Sequence, residues 1–247
     1  DEPRAGAGRT VDGAPAGRSG YFWFFREDNV ELIVKILDGT AINGEHWVFY
    51  GALSDVEYWV TVVDHHEERV RTYRSPPGAV CGRGDTTPFT GGEAPPAPPL
   101  TARLGSGPPL HALAFDAIPP GLGAKTAAAH PFVPCVPDDE TLCLGDGGRF
   151  QVRVAWQDQH NGGSGVGQAL PFTDKSGFFW FFRQDNVELV VKVLDGTAIN
   201  GKSWFFYGAL SDVGYEIEVL DTADGHAVRQ YVNPPGNLCG EADTTAF

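Results

Sequence analysis

The segment Ser176–Asp221 reads SGFFWFFRQDNVELVVKVLDGTAINGKSWFFYGALSDVGYEIEVLD, and it has a twin in the same chain. Ser19–Asp64 reads SGYFWFFREDNVELIVKILDGTAINGEHWVFYGALSDVEYWVTVVD, and 34 of these 46 aligned positions are identical. The match continues from Tyr73-Arg-Ser-Pro-Pro-Gly to Tyr231-Val-Asn-Pro-Pro-Gly. It ends on DTTPF at Phe89 and DTTAF at Phe247, with Cys81 and Cys239 at equivalent places. Self-similarity of this extent means two copies of one domain. We divide the chain into a first copy at 1–89, a Pro/Gly-rich linker at 90–134 and a second copy at 135–247.

Each copy reads as strand after strand. Asn186–Leu194 is rich in β-branched residues and runs into the turn pair Asp195-Gly196, and Ser203–Leu210 follows the turn Asn200-Gly201. In Tyr215–Asp221 the residues Tyr215, Ile217 and Val219 share one face, and Glu216 and Glu218 the other. GRFQVRVAW does the same, with Phe150, Val152, Val154 and Trp156 inward and Gln151 and Arg153 outward. A period of two marks half-buried antiparallel strands. Six or seven such strands in about 100 residues predict an all-β chain of two tandem immunoglobulin-like sandwiches, with a small barrel as the alternative.

The copies differ at their beginnings. Aligned backwards from Ser19 and Ser176, the first copy runs out at Asp1, opposite Asp158, and so has no counterpart of GRFQVRVAW. The Gly/Ala/Arg-rich opening DEPRAGAGRTVDGAPAGRSG does not substitute for it. Four large inward side chains at roughly 1.5–3 kcal/mol each are worth about 6–12 kcal/mol. Whole domains are stable by only about 5–15 kcal/mol. The first copy is therefore expected to have an open groove and an unpaired sheet edge that something fills. A second asymmetry agrees: where the second copy has Glu216 and Glu218, the first has Trp59 and Thr61, with Val63 next along, which marks a covered face.

Three donors are open for the missing strand: a cleaved piece of a precursor, the segment LHALAFDAI (Leu110–Ile118) folding back, or a strand from a neighbouring subunit. We favour supply in trans. Such a contact is head-to-tail, and a rotation that does not close gives a filament. The expected subunit interface is Trp59, Val63, Leu110, Leu113, Phe115, Phe150, Val152, Val154 and Trp156.

The string GRFxVxVxW … GxFWFF … NVELxVKVLDG … NGxxWxFYGALSxVxY … NPPG … DTxAF resembles a β-domain of unknown function found at the C-terminal ends of secreted bacterial proteins and as tandem repeats in them. The resemblance covers Leu142–Phe247 and Ser19–Phe89. It implies an extracellular bacterial adhesive, accessory or structural module and assigns no reaction to any residue.

Composition narrows the function classes. The 247 residues (26.5 kDa) carry 18 Lys+Arg against 32 Asp+Glu, a net charge of −14, which repels phosphate backbones and argues against nucleic acid. No apolar run approaches the roughly 18 residues of a membrane span. The lack of any Met leads us to expect a processed segment with its signal peptide gone. Cys81, Cys135, Cys143 and Cys239 fit no zinc spacing and read as two disulfides of an oxidising compartment. Of three connectivities we prefer Cys143–Cys239 with Cys81–Cys135. Thr and Ser in Thr90–Pro109 offer O-glycosylation sites.

Other motifs weigh less. RGD at Arg83–Asp85 becomes Glu241-Ala242-Asp243 in the second copy, so the repeat does not maintain it. Asp28, Asp38, Asp55 and Asp64 recur as Asp185, Asp195, Asp212 and Asp221, where turn geometry explains them better than calcium. The FWFF strings and Trp47/Trp204 read as core rather than as sugar-stacking platforms. Lys35 and Lys192 are expected on solvated faces or paired with Glu31 and Glu188. The histidines are not duplicated, and no nucleophile elbow, HExxH or P-loop occurs. We therefore expect no enzyme, no metal and no cofactor. The expected role is a self-polymerising extracellular structural subunit, the alternative being a secreted carbohydrate- or surface-binding module.

Overall fold

The computed structural model describes residues 6–11, 18–90, 135–223 and 227–247. Leu110, Leu113 and Phe115 lie outside the described residues. Every sheet is antiparallel, and the described helices are single turns and a three-residue 3₁₀ stretch.

The first copy contains β1 (Arg9–Thr10), β2 (Ser19–Trp23), β3 (Leu32–Gly39), β4 (Glu45–Ala52), β5 (Tyr58–Asp64), β6 (Arg69–Ser75) and β7 (Arg83–Asp85). One sheet has the order β1-β2-β3-β4-β7, and among the described residues the hairpin β5-β6 alone faces it. The second copy contains β8 (Leu142–Leu144), β9 (Phe150–Gln157), β10 (Ser164–Val166), β11 (Gln168–Pro171), β12 (Ser176–Trp180), β13 (Leu189–Gly196), β14 (Lys202–Ala209), β15 (Gly214–Asp221), β16 (Ala227–Asn233) and β17 (Glu241–Asp243). Its sheet β11-β12-β13-β14-β17 mirrors that of the first copy. The facing sheet is complete: β10-β9-β15-β16, with β8 also on β9. The chain is thus all-β, built of stacked antiparallel sheets.

The opening of the first copy has its own place. Arg9 stands opposite Trp23 as Gln168 stands opposite Trp180, so β1 is the counterpart of β11 and not of β9. This register shifts the alignment by two residues from the one read backwards through the loop.

The third layer of packing lies between the copies. Phe179, Leu189 and Val191 point into the second copy's core, while their neighbours Phe178 and Val190 point the other way, onto Tyr21, Ile33, Val30 and Leu53 of the first copy. Both faces of β12 and β13 are therefore buried, which is why NVELVVKVL is a nearly continuous apolar run. The contacts are reciprocal. A Cβ on Gly51 would sit 2.9 Å from the Ala209 carbonyl oxygen, and one on Gly208 would sit 2.9 Å from that of Ala52. Only glycine allows so close an approach of the two backbones. Arg18 pairs with Asp185, and Lys175 with Asp28.

Lys35 and Lys192 correct the sequence reading. They are not solvated: they are 1% and 2% exposed. Lys35 Nζ donates to the Val187 carbonyl at 2.9 Å, and Lys192 Nζ donates to those of Val30 and Leu53 at 3.2 and 3.0 Å. Their carboxylate neighbours are also crossed, Lys35 with Glu188 and Lys192 with Glu31. Burial lowers both ammonium pKa values, that of Lys192 from 10.5 to about 8, and raises those of the two glutamates.

The disulfides are a second correction. Cys81 bonds Cys239 and Cys135 bonds Cys143. The equivalent cysteines of the two copies meet because the pseudo-twofold brings their segments together. Gly82 N donates to Leu238 O at 2.8 Å and Gly240 N to Val80 O at 3.0 Å, an antiparallel bridge centred on the pair. The preferred connectivity failed because sequence spacing carries no information about that axis.

Candidate functional site

The second copy shows what a closed sandwich of this kind looks like. Phe150, Val152 and Val154 of β9 are buried, and so are Leu142 and Leu144 of β8. Together with Ile217 and Val219 of the same sheet they cover Phe179, Val191 and Val193 of the facing sheet, all in one core. The edge of β15 away from β16 is paired with β9 along its whole length, from Gly214 opposite Gln157 to Asp221 opposite Phe150. Trp156 is half-buried and stacks on Phe181, its centroid 5.9 Å away.

In the first copy no described residue covers the same positions. Phe22, Val34 and Ile36 correspond to Phe179, Val191 and Val193, and Val60 and Val62 correspond to Ile217 and Val219. Instead of a sealed core these side chains line a groove of about 430 Å³ together with Arg18, Ser19, Gly20, Thr61 and Val63. Phe22, Val34, Ile36 and Val62 are only half-buried, whereas all four counterparts are buried. Glycine makes the vacancy measurable. A Cβ on Gly177 would come within 2.6 Å of Leu142 Cδ1, because β8 lies over it; on Gly20 the nearest atom is 3.5 Å away, in the ring of Phe22 of its own strand. Among the described residues no strand pairs with β5 on the side away from β6.

The electrostatics of the edge are locally settled. In the second copy Arg149, just before β9, forms a bidentate pair with Asp221 at 2.8 and 2.5 Å. In the first copy the equivalent Asp64 is held by Arg69 at 3.0 Å, on the hairpin partner β6 where the second copy has Ala227. The Arg69 guanidinium keeps the Asp64 carboxyl below the usual carboxylate range. The ion pair that β9 makes in one copy is thus supplied within the hairpin in the other, and an incoming strand needs no arginine there.

The outward face of β5 differs as well. Glu218 stands opposite Arg153 and Glu216 opposite Ala155 in the second copy. The first copy has Thr61, bonded through its hydroxyl to Thr72 at 3.1 Å, and Trp59, half-buried under the Arg74 guanidinium 5.9 Å from the ring centroid. Val63 is 44% exposed. Of the expected interface residues, Trp59 and Val63 lie on the open hairpin. Phe150, Val152, Val154 and Trp156 lie in the second copy's own sandwich, where they serve as the pattern for what the first copy lacks.

The remaining motifs take structural roles. Arg83–Asp85 is not a loop: it forms β7 on the edge of β4, with Asp85 accepting from the Tyr73 hydroxyl at 3.0 Å, as Asp243 accepts from Tyr231 at 2.9 Å. Asp38 and Asp195 each accept from the following Thr40 or Thr197, in identical turns. Trp47 and Trp204 lie over Gly39 and Gly196 and donate from Nε1 to Asn43 and Asn200, both at 2.9 Å. Of the FWFF strings, Phe179 and Phe181 are buried, while Phe25 and Phe182 at the ends are exposed. Among the described residues no three His, Cys, Asp or Glu side chains gather as a metal-holding group, and no helix is long and apolar enough to cross a membrane.

Comparison of the chain with protein-family models, with curated proteins and with solved structures gave no match.

Proposed function

We propose that this chain is a structural subunit of an extracellular bacterial filament, in which a β-strand from a neighbouring copy enters the groove of the first domain. One observation carries this reading: the groove lies where the sister copy of the same chain holds β8 and β9. A strand entering there gains an antiparallel ladder along β5 and covers Phe22, Val34, Ile36, Val60 and Val62. Apolar burial on that scale is worth on the order of 6–12 kcal/mol, enough to make assembly the route by which the first domain completes its core. Donor and acceptor surfaces differ, so the contact repeats head to tail. Two disulfides support an oxidising compartment, and the net charge of −14 disfavours nucleic-acid partners.

Size-exclusion chromatography and negative-stain microscopy of the secreted protein test this. Pelletable fibres that survive dilution and high salt are expected, because burial and backbone pairing are not screened by ions. A sharp monomer peak at 26.5 kDa would overturn the reading.

A further inference from the structure

We propose, resting on the strand-donation reading above, that the donor is residues 110–118 of a second copy of this chain, and that Thr61 and Trp59 select it over a strand of the β9 type. The second copy supplies the rule of selection. There β9 is matched to its partner by charge, Arg153 against Glu218 on the outer face. Opposite charges directly across a ladder stabilise it. The first copy has lost that acid, since Thr61 occupies the position and is engaged with Thr72. It has also lost the need for an arginine at the start of the strand, since Arg69 already holds Asp64. The groove therefore suits a strand with large apolar residues inward and a small neutral residue opposite Thr61.

LHALAFDAI has that pattern. Val154 and Val152 stand opposite Ile217 and Val219 in the second copy. The same antiparallel arrangement sets Phe115 opposite Val60 and Leu113 opposite Val62, so a phenylalanine and a leucine meet the two inward valines of β5. In this register Ala114 falls against Thr61, where Arg153 falls against Glu218. Asp116 falls against Trp59, near the Arg74 guanidinium that Glu57 already holds at 2.6 Å. His111 falls against Asp64. Moving the segment by two residues places Ala117 against Val60 and leaves that part of the groove underfilled. The proline-rich stretch Thr90–Pro109 precedes the segment; twenty residues reach on the order of 60 Å in the polyproline form, enough to cross to a neighbouring copy.

The test uses the full chain with a benzophenone photocrosslinker in place of Phe115, irradiated after assembly. The expected product runs at twice the chain mass, with the crosslink mapping to the peptide that contains Val60 and Val62. A crosslink to that peptide within one chain would overturn donation in trans and the filament reading with it. Fibres that pellet while the crosslink maps elsewhere would overturn the assignment of the donor alone. Selection is read separately by adding synthetic peptides 109–119 and 148–157 to assembling wild type and Thr61→Glu. The potency of the first peptide relative to the second is the readout, and it is expected to be about threefold higher toward wild type than toward Thr61→Glu, on the scale of one cross-strand pair. Thr61→Glu, an exposed substitution, restores the acid that faces Arg153 in the second copy, so it shifts the ratio toward the second peptide; an unchanged ratio would overturn the role of Thr61.

Discussion

The two copies share one five-stranded sheet almost residue for residue and part company at the sheet that faces it. Phe22 and Phe179 occupy the same place in the same strand, yet Phe179 is sealed and Phe22 borders a groove. The difference is not in the residues that line the cavity, which are nearly the same, but in whether β8 and β9 lie over them. An inner face of this composition is thus no guide to its own burial. The copies differ further at the edge of the facing hairpin: Arg69 holds Asp64 where Arg149 holds Asp221, and Thr61 and Trp59 stand where the second copy has two glutamates.

Removing the bond that joins the two copies should have the greatest consequence for stability. Cys81–Cys239 closes a separation of 158 residues, and constraining so long a loop in the unfolded chain is worth about 5 kcal/mol. Cys135–Cys143 closes a separation of 8, worth about 2.5 kcal/mol. Cys81→Ser with Cys239→Ser is expected to lower the denaturant midpoint about twice as far as Cys135→Ser with Cys143→Ser. Equal shifts would mean that the copies are held together mainly by their packed faces.

One substitution made at the equivalent place in each copy comes next. Phe179→Ala removes a ring from a closed core and is expected to cost about 4 kcal/mol. Phe22→Ala is expected to cost about half of that in unassembled protein, because solvent already reaches the ring. In assembled fibres the two costs should converge. If Phe22→Ala matches Phe179→Ala in the free chain, measured by equilibrium unfolding, the groove is already filled within a single molecule.

The smallest effect is a pH dependence arising between the copies. Lys192 has its pKa lowered from 10.5 to about 8 by burial, so between pH 8 and 10 the unfolded chain binds more protons than the folded one. Stability then rises with pH, by less than about 1.4 kcal/mol per pH unit for this group. Above pH 10 buried tyrosines such as Tyr21 and Tyr58, both raised to about 12, oppose it. Lys192→Met is expected to remove about half of the rise, because Lys35 is lowered from 10.5 to about 8 as well, as read by chemical denaturation across that range; an unaltered profile would place its origin elsewhere.

Much of this was legible beforehand, and what was not has a physical reason. Strand alternation in Tyr215–Asp221 and GRFQVRVAW read directly as half-buried strands, and the alignment exposed the missing strand and hence the groove. The face between the copies was missed, although NVELVVKVL held the signal: a strand that does not alternate is covered on both sides. Lys192 within that run, and Lys35 in its twin, concealed it, because lysine is seldom buried without partners. Those partners are carbonyls some 150 residues away along the chain, beyond the reach of local patterning. The cysteine pairing was hidden for the same reason.

The bridge between Cys81 and Cys239 has a mechanical consequence. Tension entering through the first copy reaches the second across two sulfurs, a short run of paired backbone and two interlocked sheet faces. The covalent path that runs onward through residues 90–134 is short-circuited. That stretch is relieved of bearing force between the copies, and its sequence is left to answer to other demands.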